Sequence, residues 1–436
     1  MEYLFSVLFL ALHLVNYEIG LNRILFFGAG LVLFVALFYA CYKKSENFLC
    51  TCLMLFCHTW QASWINIFGV WGSPLQITWF YLIGVLVLGY CIVNIKKAMD
   101  VPLPPVALAL FAGLFMFLPF PLIISPSVSE GLKEILIIAF FFIMAFAAFV
   151  FKDTVPYEKR TYIVNSFVFT MLVSCGLLIV QYLLYKTAGI TVFRYSVGTY
   201  YGGLLASSKL LMEDTSCSTI MIAGASFYLL EKLNKKNVLG ILAAAAVLMA
   251  GIGVTTRRTS IVSIGIVLVL YVFLHYKGAV KKMTMGLIVF GMLSVMLIYL
   301  YYTRSINTVG MLTDDNGRIK GYLSALALLF ENPFGVGYDN TYLAPLVGGI
   351  VPHNSMLRWM DMGGFALGIL IGALLIYFLV YAYRKKNRTE FWFVFYCVFA
   401  SNLIPDILNG RLFILPVMMA FLIADKEETN EESIAL

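Results

Sequence analysis

Residues 22–42 read NRILFFGAGLVLFVALFYACY, and Lys43 and Lys44 follow directly. This apolar run has the length that an α-helix needs to cross a hydrocarbon layer about 30 Å thick. Similar runs recur along the chain, in which 61% of the residues are hydrophobic and 12% are charged. A soluble protein carries about 25% charged residues. Because the runs are continuous rather than alternating, the sequence predicts an all-α polytopic membrane protein and not a β-barrel.

The apolar runs predict about 12–14 transmembrane helices in a single membrane domain, residues 1–424. The candidate spans are 3–17, 22–42, 47–70, 75–95, 103–124, 131–151, 161–185, 215–231, 238–254, 258–276, 283–302, 356–383, 390–404 and 411–424. The first run lacks the basic start and the cleavage site of a signal peptide, so we interpret it as a span. Residues 425–436, DKEETNEESIAL, predict a short acidic cytoplasmic tail.

Basic residues cluster in the loops that follow even-numbered spans. These clusters include residues 43–44, 96–97, 235–236, 281–282 and 384–386. Cytoplasmic loops of membrane proteins carry an excess of lysine and arginine. The pattern therefore predicts that these loops and both termini are cytoplasmic, and it explains the net charge of +7 without a nucleic-acid partner.

The opposite side of the predicted domain carries more arginine than lysine. Its longest loops are 186–214 and 303–355. The planar guanidinium group binds phosphate and carboxylate through two prongs, whereas the lysine ammonium acts as a point charge. An arginine-rich outer face therefore indicates an anionic ligand that arrives from the membrane or from the outer compartment.

Four outer arginines are the candidate ligands for such an anion. Arg194 lies in a glycine-rich loop, Arg257 and Arg258 lie in the short connection TTRRTS, and Arg318 begins an amphipathic segment. Two interpretations of Arg257 and Arg258 remain open. They either snorkel to lipid headgroups, or they bind an anion together with the first amides of the next helix. The apolar spacing of residues 318–331 predicts a helix that lies at the interface and covers a cavity.

His353 is the candidate general base, because it is the histidine that falls clearly in an outer loop. An imidazole accepts a proton from a hydroxyl group near neutral pH. Asn354 or Ser355 is expected to cap the helix that starts there. The alternative interpretation of His353 is an ordinary loop histidine without a catalytic role.

The run Gly335-Val336-Gly337 follows Asn332-Pro333 but lacks the lysine and the spacing of a phosphate-binding loop. It predicts instead a turn with left-handed backbone. The aspartates of this region, which include Asp339 and Asp361, show no metal-binding spacing, and most are interpreted as solvated loop carboxylates. We therefore predict no metal site.

Four short motifs occur in the order found in a known family. They are the loop from Arg194 to Gly198, Arg258 followed by a small residue at the start of a span, the stretch 316–338 with NGR and ENPFGVGY, and PHN at 352–354 before a span with two glycines. Together they resemble the O-antigen polymerase and O-antigen ligase family of bacterial envelope biogenesis. The resemblance covers about residues 190–375, and residues 1–150 match the family only in hydropathy.

This resemblance implies a GT-C-like membrane glycosyltransferase without metal or cofactor, in the bacterial inner membrane, with its site facing the periplasm or the cell exterior. The substrate would be a polyprenyl-diphosphate-linked oligosaccharide, and a chain-length regulator and a flippase would be protein partners. His353, Arg258 and Arg318 would be catalytic. The implied substrate-binding residues are Arg194, Arg257, Asp339 and Asn354. Whether Arg257 or Arg258 is the functional arginine stays open, and the resemblance favours Arg258.

Three functions remain in competition at this point. A polymerase, of O-antigen or of a capsule, would join one lipid-linked repeat unit to another, and we favour it. A ligase would transfer the finished glycan to the lipid A core. A lipid-linked oligosaccharide transporter ranks behind both, because a transporter is expected to carry ionisable residues in broken helices near the middle of the bilayer.

Overall fold

Helices form most of the protein in the computed structural model, as the continuous apolar runs predict. The structure describes residues 1–62, 65–69, 77–101, 103–192, 195–200, 203–208, 223–226, 238–255, 258–275, 318–349, 351–352, 354–384 and 388–402, and parts of 278–294. In these ranges the protein is an all-α polytopic membrane protein with one short β-hairpin added.

The first half of the chain forms nine helices within the described residues. They are α1 (Glu2–Ile19), α2 (Arg23–Ser45), α3 (Phe48–Thr59), α4 (Trp79–Val93), α5 (Ile95–Asp100), α6 (Pro105–Phe117), α7 (Phe120–Ile123), α8 (Val128–Phe151) and α9 (Tyr157–Ala188). Asparagine side chains set two of the starts: Asn22 Oδ1 accepts a hydrogen bond from Ile24 N at 2.9 Å, and Asn47 Oδ1 accepts one from Cys50 N at 3.0 Å.

The second half begins with an antiparallel hairpin of β1 (Tyr195–Tyr200) and β2 (Gly203–Ser208). The predicted outer loop 186–214 thus contains regular structure that its sequence did not indicate. The helices that follow in the described residues are α10 (Val238–Thr255), α11 (Arg258–His275), α12 (Arg318–Glu331), α13 (Asn340–Leu346), α14 (Ser355–Arg384) and α15 (Arg388–Ser401).

Six helices among the described residues are long and apolar enough to cross a membrane. They are α1, α2, the pair α6–α7, α8, α9 and α14, and each coincides with a predicted span. The predicted span 47–70 was too long, because α3 ends at Thr59 and a turn follows in which Asn66 Oδ1 accepts a hydrogen bond from Phe68 N at 3.0 Å. The predicted spans 215–231, 283–302 and 411–424 lie partly or wholly outside the described residues.

Two groups of packed helices matter for the site. In the first, α3 packs on α2, α4 and α9, and α4 packs in turn on α8. In the second, α14 packs on α6, α7, α12 and α15. The short α7 also packs on α8. It thereby joins the two groups next to the start of α8.

Candidate functional site

The long helix α14 is broken at Gly364. This residue has φ 75° and ψ 178°, a conformation that only glycine adopts readily. The break divides α14 into a short segment, 355–363, and a long segment, 365–384. At about 1.5 Å per residue the long segment rises about 30 Å, which is the thickness of a hydrocarbon layer. The break therefore lies one membrane thickness away from the basic end at Arg384.

The chain between α12 and α13 fills this break. Val336 N donates to the carbonyl oxygen of Asp361 at 2.8 Å, and Gly337 N donates to that of Met362 at 2.9 Å. In return, Phe365 N donates to the carbonyl oxygen of Pro333 at 3.0 Å. Irregular backbone is tolerated in a membrane protein where protein rather than lipid satisfies it. We call residues 333–337 the clamp, because its backbone bonds both sides of the break.

Close backbone contact between the clamp and the break requires glycine at positions 335 and 364. A Cβ atom on Gly364 would lie 2.5 Å from the carbonyl oxygen of Pro333, which is backbone and cannot rotate away. A Cβ atom on Gly335 would overlap the carbonyl group of Met362. Gly335 and Gly337 have φ values of 85° and 94°, which confirms the predicted left-handed turn.

Tyr338, directly after the clamp, anchors it to the first half of the chain. Its backbone N donates to Ser125 Oγ at 2.7 Å, and its hydroxyl donates to the carbonyl oxygen of Leu118 at 2.8 Å. Burial, and then the nearby Glu134 carboxylate, raises the pKa of the Tyr338 hydroxyl, so this group stays protonated and keeps its donor role. The clamp is therefore bonded to α14 through its own backbone, and Tyr338 attaches it to the chain on either side of α7.

A buried polar cluster lies beside the clamp. Arg358, in the short segment of α14, is 3% exposed, and its Nε donates to Asn340 Oδ1 at 3.0 Å. A second guanidinium nitrogen lies 3.7 Å from Glu134 Oε1 of α8, and Asn340 Nδ2 donates to the same oxygen at 3.1 Å. Three elements, α8, α13 and α14, thus meet in one charged and hydrogen-bonded cluster.

Asp361 follows Arg358 by almost one helical turn and is 1% exposed. Neither of its carboxylate oxygens has a hydrogen-bond partner among the residues that the structure describes. Most aspartates of this region were interpreted as solvated loop carboxylates; Asp361 is not one of them, because it is buried inside α14. Burying a carboxylate without a partner costs stability, and proteins carry such costs mainly at functional sites.

Asp339 and Asn354, predicted to bind substrate, both cap helices. Asp339 Oδ1 accepts hydrogen bonds from Thr341 N at 2.9 Å and Tyr342 N at 3.2 Å, which starts α13. Asn354 Oδ1 accepts one from Leu357 N at 3.0 Å, which confirms the predicted cap of α14. Asp339 is 7% exposed, so its observed role is structural.

Two predicted arginines begin helices. Arg318 is the first residue of α12, and Arg258 is the first residue of α11. Helix α12 packs on α14, whereas α11 packs on α15, which in turn packs on α14. The other three predicted site residues, Arg194, Arg257 and His353, lie outside the described residues. Residue 353 directly precedes Asn354, so it is adjacent in the chain to the capped start of α14.

The helix 318–331 was predicted correctly, and one of its faces packs within the protein. Ala325, Leu328 and Leu329 are buried, and α12 packs on α14. A second apolar stripe is exposed, with Ile319, Leu323, Leu326 and Phe330 spaced by three or four residues. Such a stripe on a membrane protein is typical of a helix in contact with lipid.

Sequence reasoning missed Arg358, Glu134 and Asn340. Arg358 was recognised only as one of several outer arginines, and Glu134 lies in the predicted span 131–151. A signal was present, since an ionisable residue within a membrane span is a functional candidate by default. Glu134 meets that criterion and was not considered.

No model of a known protein family matches the sequence, and no curated protein matches it significantly. Functional conclusions therefore depend on the residues and on their arrangement.

Proposed function

We propose that this protein is a membrane glycosyltransferase that polymerises polyprenyl-diphosphate-linked oligosaccharide repeat units at the outer face of the bacterial cytoplasmic membrane. The observation that carries the proposal is the position of the clamp and the buried polar cluster. Both lie at the ends of α8 and α14 opposite Lys152 and Arg384. Arg358 lies there, and the arginine-rich loops that the sequence predicts on that side suit a lipid-linked anion.

Two helices, α14 and α8, support this position independently. Arg358 lies at one end of α14, and Arg384 lies at the other. Glu134 lies in the second turn of α8, whereas Lys152 follows the last turn. Basic ends are cytoplasmic by the positive-inside rule. The cluster is then on the outer side, and so is the start of α14, which follows His353 in the chain.

The proposed chemistry is a displacement at the anomeric carbon of the donor sugar. The acceptor hydroxyl forms the new glycosidic bond, the bond between that carbon and the diphosphate oxygen breaks, and the diphosphate leaves with the bonding electrons. Arg258 and Arg318 hold the charge of the leaving group, a role for which fixed guanidinium groups are suited. His353 takes the proton of the acceptor hydroxyl.

The broken helix also favours a second candidate, a transporter of lipid-linked oligosaccharides. Transporters bind substrate at discontinuous helices, but near the middle of the bilayer. In α14 the break lies about 30 Å of helix away from the basic end, which is a full membrane thickness rather than half of one. The position of the break therefore favours an enzyme at the outer boundary.

Reconstitution in liposomes distinguishes the candidates. The purified protein is given lipid-linked repeat units extracted from cells that lack this protein, and the products are separated by chain length. A ladder of glycans on polyprenyl diphosphate, with release of free polyprenyl diphosphate, supports a polymerase. Product that forms only after lipid A core is added identifies a ligase. Movement of donor between leaflets without a new glycosidic bond identifies a transporter.

Variants in the same assay test the residue roles. We expect His353→Ala, Arg258→Ala and Arg318→Ala each to abolish chain formation while insertion is unchanged. Arg258→Lys should also fail, because a two-pronged phosphate contact cannot be made by an ammonium group. Chains of normal length from any of these variants would remove that residue from the proposed site.

A further inference from the structure

Arg358 connects three elements that are far apart in the sequence. Its side chain reaches Asn340 at the start of α13 and Glu134 in α8, at 3.0 and 3.7 Å. Its backbone N donates to the carbonyl oxygen of Asn354 at 3.0 Å, within the first turn of α14. The backbone of Arg358 thus forms part of the first turn of α14, and its side chain attaches that turn to α8 and α13.

The cluster is better suited to fixing the orientation of the start of α14 than to adding stability to the fold. Glu134 Oε1 lies near both the guanidinium group and Asn340 Nδ2, which donates to it at 3.1 Å. Buried ion pairs contribute little net stability compared with apolar packing, because each charge loses its hydration. A planar guanidinium group that donates to Asn340 and forms an ion pair with Glu134 does, however, fix the direction of the helix that carries it.

The short segment of α14 needs such an attachment. The break at Gly364 interrupts the helix, so segment 355–363 does not inherit its orientation from the membrane-spanning part of α14. The clamp bonds its last turn through the carbonyl oxygens of Asp361 and Met362. Arg358 holds the middle of the segment through Asn340 and Glu134, next to the buried Trp359, whose ring packs against that of Tyr338.

We infer that Arg358 is a positioning residue, which acts through Glu134 and Asn340 to fix segment 354–363, the segment that follows His353 in the sequence. This inference rests on the proposed function for its catalytic consequence, but the anchoring of the segment does not depend on any substrate. Arg358 touches no reacting atom in this scheme. Its effect is on the rate of the chemical step and not on donor binding.

The test compares two matched pairs of substitutions in the full-length protein. The double variant Arg358→Met/Glu134→Gln removes both charges, so no unpaired buried charge is left to prevent folding. The control is Glu2→Gln/Lys44→Met, which removes the partly buried ion pair between the start of α1 and the end of α2. Arg358→Lys keeps the charge but loses the planar guanidinium group and is measured alongside.

Two measurements keep this inference separate from the proposed function. The first is amide hydrogen exchange of peptides that cover 354–363, which we expect to be faster by about tenfold or more in the double variant and unchanged in the control. The second is the reconstituted reaction. There we expect kcat to fall by about 10- to 100-fold in the double variant and in Arg358→Lys, while KM for the donor stays within about twofold.

Wild-type exchange across 354–363 in the double variant would overturn the inference, and so would an undiminished kcat. If the wild-type protein forms no glycan at all, the proposed function fails. The exchange measurement then decides by itself whether Arg358 anchors the segment.

Discussion

Replacing Gly364 by alanine tests whether the break in α14 is a built feature of the fold. At φ 75° and ψ 178° the new residue would be strained by about 1–3 kcal/mol. Its Cβ atom would lie 2.5 Å from the Pro333 carbonyl oxygen, the acceptor of the Phe365 amide. Losing that buried hydrogen bond costs about 1–3 kcal/mol more. We therefore expect Gly364→Ala to lower the free energy of unfolding by about 2–6 kcal/mol.

The experiment is equilibrium unfolding in mixed micelles. Two further glycines serve as controls that separate backbone strain from the close contact with Pro333. Gly189, the cap of α9, has φ 67°, but no atom lies within 4 Å of the position that a Cβ atom would take, so Gly189→Ala should lose only about 1–2 kcal/mol. Gly176, inside α9, has neither strain nor a close neighbour, and Gly176→Ala should be neutral or gain about 1 kcal/mol. Equal losses for Gly364→Ala and Gly189→Ala would refute the close contact between the clamp and the break.

The same unfolding measurement checks three side chains near the clamp. Asp361→Leu should raise the free energy of unfolding by about 1–3 kcal/mol, because it replaces an unpartnered buried carboxylate by an apolar group, and a loss would mean that the carboxylate is paired. Asp339→Ala should cost about 0.5–2 kcal/mol through the lost cap of α13, whereas Asp339→Asn should behave like the wild type. Tyr338→Phe should cost about 1–3 kcal/mol, since the buried Leu118 carbonyl loses its donor, and an unchanged value would contradict that contact.

Local features of the site could be predicted from the sequence because their causes are local. The cap at Asn354, the left-handed glycines at 335 and 337, and helix 318–331 each depend on neighbouring residues, and each is observed. The spans follow from hydropathy alone. In contrast, the predicted span 47–70 was too long, because α3 ends at Thr59 and residues 66–68 form a turn.

The break and the polar cluster could not be predicted, since their partners are distant in the chain. Asn340 and Glu134 are 206 positions apart, and Tyr338 and Leu118 are 220 apart. The clamp bonds α14 through backbone carbonyl oxygens, which leave no mark in the sequence. Residues 356–383 read as one helical span that contains Arg358 and Asp361, and the adjacent pair Gly363-Gly364 is the local sign of an interruption.

The broken helix gives the polar first segment of α14 an orientation that is separate from that of the membrane-spanning segment. In a continuous α14 the first turns, which carry Arg358 and Asp361, would share the axis of the membrane-spanning segment. Their orientation would then depend on the packing of that segment. The interruption at Gly364 allows segment 355–363 a different axis. The clamp bonds its last turn, and Arg358 attaches its middle to α8 and α13. The orientation of segment 355–363 thus depends on backbone hydrogen bonds from the clamp and on one buried guanidinium group. Substitutions at the clamp glycines should therefore impair chain formation although they touch no substrate, because they disturb the same segment from its other end.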